Sequence, residues 1–268
     1  MINKIHTSVS GGGTNALVFR LTVANGQLDT NGITLGSGIQ LNGATLRDSI
    51  GNNANLALNN VGDTSEVRVD AVAPTVSTVG LPAPGAYNAG DVLRFTVNTS
   101  ENVIVDTSTG TPRLALNIGG VTRYASYVSG SGSSALVFEY TVQAGNNAAA
   151  GIGLPGVLDL NGASARDAAG NALNLALNTP GAAGGVVIDT VAPQVGDIVN
   201  VDLTPTNAGS VRYTVTFDES VSGVDSADFS LAFTGTASGR IASVEQVNGR
   251  TYTIVVDNLA GAGNGRLE

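Results

Sequence analysis

The side chains able to do chemistry in this sequence are almost all oxygen donors. Asp70 and Asp189 each stand four residues before a proline, in Asp-Ala-Val-Ala-Pro and Asp-Thr-Val-Ala-Pro. Asp167 opens the turn-like Asp-Ala-Ala-Gly-Asn that Asn171 closes, and Asp48 and Asn52 bracket the related Asp-Ser-Ile-Gly-Asn. Glu101 follows one strand-like run, and Asp218-Glu219 follow another. Carboxylates and amide carbonyls are hard ligands of the kind Ca2+ takes, about six to eight per ion.

Other chemistries are excluded more firmly. The chain has no Cys and one His, His6. Disulfides, thiolate nucleophiles, zinc knuckles and iron–sulfur clusters are therefore absent, and a single histidine close to the start of the chain argues against a histidine-based triad or a multi-histidine metal site. Asp218 and Glu219 are adjacent, so on a strand they point to opposite faces and cannot act as the facing carboxylates of a glycosidase. The sequence GAGNGRLE (261–268) has no helix after it and is no dinucleotide fingerprint. Tyr87, Tyr124 and Tyr127 read as half-buried strand residues rather than a sugar platform. Lys4 is the only lysine, which rules out Lys–Asn staples after the N-terminal segment; His6 is expected on an exposed strand.

Composition sets what can position these groups. The 268 residues carry 36 Gly and 8 Pro, only 4% aromatic and 12% charged residues, and a net charge of −9. Any core is aliphatic, and the acidic balance argues against a nucleic-acid partner or an anionic membrane surface. No run approaches a membrane span, and MINKIHTSVSGGG lacks the apolar centre of a signal peptide.

Sliding the sequence against itself supplies the organisation. A shift of 119 lays residues 10–74 on 129–193 without a gap, with 32 of the 65 positions identical, including LNGA (41–44 on 160–163) and NLALN (55–59 on 174–178). A fainter copy places LRFTVNTSENV (93–103) on VRYTVTFDESV (211–221). The expected domains are 1–73, the C-terminal part of a repeat; 74–192, a complete repeat; and 193–268, the N-terminal part of a divergent one. These ragged ends point to a piece cut from a longer array; the competing expectation is that incomplete ends complement one another between chains.

Runs such as VLRFTVNT (92–99), RLALNI (113–118), ALVFEYTV (135–142) and VRYTVTF (211–217) mix β-branched and aromatic residues, separated by PAPG, NAGD and SGSGSS turns. No helical stripe is present. The expected fold is all-β, with tandem immunoglobulin-like antiparallel β-sandwiches in an elongated array.

The strings VAPTVSTVGLPAPGAYNAGDVLRFTV, SENVIVD, GTPRLALNIGGVTRYASYVSGSGSSALVFEYTVQAG, LNGASARDAAGN and VVIDTVAP resemble the tandem bacterial Ig-like repeats of giant type I-secreted (RTX-type) adhesins. The resemblance covers 1–192 well, and 193–268 look like a sibling repeat type. It implies a stalk that spaces a distal binding domain from the cell, and calcium at the junctions between repeats. The Gly- and Asp-rich calcium nonapeptides that often end such proteins are missing from this sequence.

In an immunoglobulin-like sandwich the linker delivers the chain to the pole formed by the loops after the second strand and before the last. Asp70 on the first linker is thus expected near Glu101 and the Asp167–Asn171 turn, and Asp189 near Asp218 and Glu219. Asp48 and Asn52 would face a preceding neighbour. Beside this stands a plainer reading, in which Asp-Ala-Ala-Gly-Asn is a self-contained turn and Glu101 a solvated carboxylate. The functional expectation is a non-enzymatic segment of an extracellular, cell-surface adhesin of the biofilm type, whose partners are neighbouring repeats and, through other domains, a host or biofilm surface ligand. The alternative is a carbohydrate- or receptor-binding module of a secreted protein or polysaccharide-degrading enzyme. Against it, the most divergent loops, QLDTNGITLGS (27–37) and NNAAAGIGLPG (146–156), contain no aromatic residue.

Overall fold

The computed structural model describes residues 7–178, 182–202 and 208–268. The protein is all-β, as its alternating runs require, with several antiparallel sheets and a single 3-10 turn among the described residues. Two compact units form, Met1–Thr190 and Val191–Glu268, so the first-copy segment belongs to the same unit as the complete repeat. Lys4 and His6 lie outside the described residues.

The first copy contributes four short strands: β1 (Thr7–Ser10) paired with β2 (Val18–Arg20), and β3 (Leu28–Asp29) paired with β4 (Val69–Asp70). The β1–β2 turn needs a glycine at Gly11, whose φ is 101° and where a Cβ would lie 1.9 Å from the Ala16 carbonyl oxygen. Gly130 repeats this constraint in the second copy, with φ 108° and a gap of 2.1 Å to the Ala135 oxygen. That is the physical content of the shared Ser-Gly-X-Gly string.

The complete repeat runs through β5 (Val76–Gly80), β6 (Gly85–Tyr87), β7 (Val92–Asp106), β8 (Arg113–Ile118), β9 (Val121–Ser129), β10 (Ser133–Thr141), β11 (Asn147–Ala148), β12 (Ile152–Gly153), β13 (Leu158–Asp159), β14 (Ser164–Arg166), β15 (Ala182–Ala183) and β16 (Val186–Asp189). Its main sheet has the order β14-β7-β10-β9-β8-β12-β15, with β5 added beside β7 and β13 beside β8. A second sheet, β11-β16-β6, has β16 parallel to β6 and antiparallel to β11. Alternation along β7 buries Leu93, Phe95 and Val97, which meet Leu136 and Phe138 of β10, Leu114 and Leu116 of β8, and Ile188 of β16. Each such side chain removed from water stabilises the fold by roughly 1.5–3 kcal/mol, which is how a chain without Trp or Cys closes a core.

In the second unit β17 (Val195–Asn200), β18 (Ser210–Phe217), β21 (Thr251–Ala260) and β20 (Ser238–Asn248) form one sheet in the order β17-β18-β21-β20. The short strands β19 (Leu231–Phe233) and β22 (Gly265–Leu267) pair with each other. Val215, Tyr252, Ile254, Val256 and Leu267 make its core, with Phe217 set edge-on to Tyr252 at 6.0 Å. Asp225 and Asp228 cap the 3-10 turn Ser226–Asp228 reciprocally.

Candidate metal centre

The first linker is fastened to the complete repeat by its backbone. Asp70 ends β4, and its Oδ1 accepts the Val72 N–H at 3.0 Å, turning the chain toward Pro74. Thr75 and Ser100 then lock together: the Thr75 N–H donates to Ser100 Oγ at 3.0 Å, and the Ser100 N–H to the Thr75 carbonyl at 2.8 Å. On the other side, the segment from Asn171 to Asn178 clasps the linker at three points. Asn171 Nδ2 donates to the Asp70 carbonyl at 3.3 Å, the Asn174 N–H to the Pro74 carbonyl at 2.8 Å, and Asn178 Nδ2 to the Val76 carbonyl at 2.5 Å. Backbone carbonyls are obligatory acceptors, so these contacts fix the path of the linker.

This path brings three carboxylates together. Oxygens of Asp70, Glu101 and Asp167 all lie within 4.8 Å of one another, with Asp167 buried and the other two half-buried. Three of the expected ligands thus converge. The Asn171 side-chain amide donates to two neighbours, the Asp70 carbonyl at 3.3 Å and Asp167 Oδ2 at 2.7 Å. In this arrangement it braces the segments that carry Asp70 and Asp167.

The electrostatics follow from this packing. Burial pushes the Glu101 carboxyl above its ordinary value, and the neighbouring Asp70 and Asp167 charges push the same way. For Asp167 burial also pushes upward, but hydrogen bonds from the Asn171 side chain and from the backbone of Asn171, Gly170 and Ala169 outweigh it, and its carboxyl ends below the ordinary value. None of the ion pairs among the described residues reaches these three groups. The guanidinium of Arg166, which precedes Asp167 in the sequence, donates to the Gly170 carbonyl at 2.9 Å. The donor set therefore fits a hard dication: three clustered carboxylates in mutual repulsion, with the Glu101 proton held more tightly than usual.

The first copy isolates what the turn does alone. The Asn52 N–H donates to Asp48 Oδ1 at 2.8 Å and Asn52 Nδ2 to Asp48 Oδ2 at 2.7 Å, matching the distances in the Asp167–Asn171 turn. Asp48 is exposed, whereas Asp167 is 4% exposed. The turn is thus self-sufficient, and the linker's arrival is what converts it into part of a carboxylate cluster.

The remaining expected ligands lie in separate units. Asp189 ends β16 in the first, where its neighbour across the ladder is Asn147. Asp218 and Glu219 follow β18 in the second, where Asp218 Oδ1 accepts the Gln194 N–H at 2.8 Å and Glu219 Oε1 is buried without a partner. Among the tyrosines, Tyr87 donates its hydroxyl to the Ala83 carbonyl, Tyr127 sits edge-on to Phe138 at 5.7 Å, and Tyr124 lies under the Arg113 guanidinium at 4.1 Å. Tyr124, expected to be half-buried, is exposed. Asp29 carried no signal in the sequence beyond its divergent loop. It is 4% exposed, with Oδ1 unpartnered, where the second copy has Ala148.

The sequence matches no protein-family model and no curated protein.

Proposed function

We propose that this chain is a non-enzymatic structural segment of a bacterial extracellular adhesin, in which Ca2+ held by Asp70, Glu101 and Asp167 fixes the link between the first copy and the complete repeat. The observation that carries the reading is the convergence of three carboxylates from a linker, a strand and a turn within 4.8 Å. The resemblance to tandem Ig-like adhesin repeats and the gapless 119-residue register support it. In this reading the segment spaces a binding domain from a cell surface, and its partners are neighbouring repeats.

The chain's own residues do the mechanical work. Asn171, Asn174 and Asn178 hold the linker in place, and the carboxylates oppose that closure by repulsion. A bound dication would supply the charge that reverses this opposition. Stabilisation by a ligand at a hundredfold excess over its Kd is about 2.7 kcal/mol. The deciding experiment is calorimetric titration of the chain with Ca2+, with Asp70→Ala as control, together with scattering and melting in Ca2+ and in EDTA. Saturable binding lost in Asp70→Ala, a higher melting temperature and a smaller conformational spread in Ca2+ are expected. Identical curves in EDTA and Ca2+ would refute the reading.

A further inference from the structure

The direction of two paired strands decides how they meet a pull along the chain. When an earlier strand lies antiparallel to a later one, the chain enters the first and leaves the second at the same end of the ladder, so tension opens the hydrogen bonds one after another. When the two are parallel, entry and exit lie at opposite ends, and tension loads the bonds together, in shear. In the complete repeat β6 stands near the entry and β16 at the exit, and they are parallel: Gly85, Ala86 and Tyr87 face Val186, Val187 and Ile188. Their ladder is therefore loaded in shear by any pull on the chain before β6 and after β16.

Both strands are seated so that neither slides without loss of core. Val186 and Ile188 are 2% and 0% exposed, and Tyr87 packs against the same cluster. The other edge of β16 is taken by β11, where Asn147 and Ala148 face Asp189 and Ile188. The ladder begins with the Gly85 N–H, which donates to the Gly185 carbonyl at 2.8 Å. At the exit Thr190 Oγ1 accepts the Gly145 N–H at 2.8 Å and donates to the Asn146 carbonyl at 2.9 Å, where the first copy has Ala71. At the entry the linker is pinned by Thr75 with Ser100 and by Asn174 and Asn178, and β5 is held along β7. Each end at which tension arrives thus carries its own fastening.

We propose that β6 and β16 form a shear clamp that makes the complete repeat a load-bearing element. Extension along the chain is resisted by the whole ladder at once, whereas parting the same two strands from one end breaks it bond by bond. Forced unfolding is governed by the unfolding rate, so a barrier that requires simultaneous loss of these bonds sets the lifetime under tension. The inference rests on strand direction and depends neither on calcium nor on the adhesin reading.

The test is single-molecule pulling on the full chain in EDTA. The sequence has no cysteine, so a pair of introduced cysteines supplies the only attachment points. Ala73→Cys with Val191→Cys loads the ladder from opposite ends, and Ala83→Cys with Gly184→Cys opens it from one end; all four positions are exposed. We expect a single rupture at high force in the first geometry and opening at lower force in the second. Gly85→Pro removes the N–H that donates to Gly185, while Gly85→Ala keeps it, and no atom lies within 4 Å of a Cβ placed there. In the first geometry Gly85→Pro should unfold about fivefold faster at equal force, the weight of one hydrogen bond, and Gly85→Ala should match the parent. Thr190→Ala, which releases the exit, should also unfold faster and serves if Gly85→Pro does not fold. Equal rupture forces in the two geometries would overturn the proposal, as would an unfolding rate in the first geometry that neither Gly85→Pro nor Thr190→Ala changes.

Discussion

At the scale of single residues, Glu101 and Asp167 sit in one cluster yet answer pH in opposite directions. Glu101 holds its proton more tightly in the folded chain, so its contribution to stability is complete below its ordinary value and is lost as pH rises through the raised one. Asp167, whose value is lowered, contributes above the ordinary carboxylate range and loses that contribution as pH falls through its folded value. Glu101→Gln separates the two effects. In EDTA the variant should melt above the parent at neutral pH, because a repelled carboxylate is gone. In Ca2+ it should lose most of the metal-induced rise. If Ca2+ binds at this cluster as proposed, titrations at pH values spanning the Glu101 ionisation should show affinity rising with pH. Asp29 offers a second residue-level test. Replacing this buried carboxylate, whose Oδ1 has no partner, by the alanine found at the matching position should slow exchange of the β3–β4 amides, since an unpartnered buried oxygen costs about 1–3 kcal/mol.

At the scale of elements, the asparagines of NLALN show how much a motif reveals and where it stops. Asn178 donates to the Val76 carbonyl, while the identical Asn59 of the first copy donates only to the Ala57 carbonyl two residues away, at 3.4 Å. Asn178→Ala should cost about 1 kcal/mol by thermal melting, the scale of one hydrogen bond, and Asn59→Ala should be neutral. The sequence shows that the motif recurs, but asparagine is equally a turn residue, so its partner a hundred positions away is invisible to local patterning. The strands RLALNI (113–118) and VRYTVTF (211–217) were legible because their alternation persists without interruption. The strand at 92–99 was visible too, but not its continuation to Asp106, where the register against β10 shifts. The long hairpin β20–β21 escaped for the same reason: irregularities at three places in its ladder break the two-residue period. The convergence of Asp70, Glu101 and Asp167 could be expected only by assuming a topology, since they are spread over nearly a hundred positions.

At the scale of the whole molecule, burial is distributed unequally between equal sequences. Phe138 is fully buried and Phe19 is not. Phe138→Ala should destabilise the first unit by about 3–5 kcal/mol, whereas Phe19→Ala should leave its melting unchanged within about 0.5 kcal/mol, as for ordinary surface positions. The second unit has its own core around Tyr252 and Ile254. Calorimetry of Ile254→Ala should therefore lower one transition and leave the other in place.

Arg20 and Glu139, opposite in sign, occupy matching positions of the 119-residue register, and the difference bears on how the chain comes off the ribosome. β2 is synthesised before β7, and β7 before β10, so the first ALVF strand that a newly made β7 can meet is the wrong one. Neighbouring repeats this similar are prone to misassembly of that kind. Arg20 set against Arg94 makes the early, incorrect pairing poor, and Glu139 makes the later one good. If that charge discriminates between the two pairings during folding, Arg20→Glu should refold with a larger trapped fraction than the parent although the native contacts of β7 are untouched.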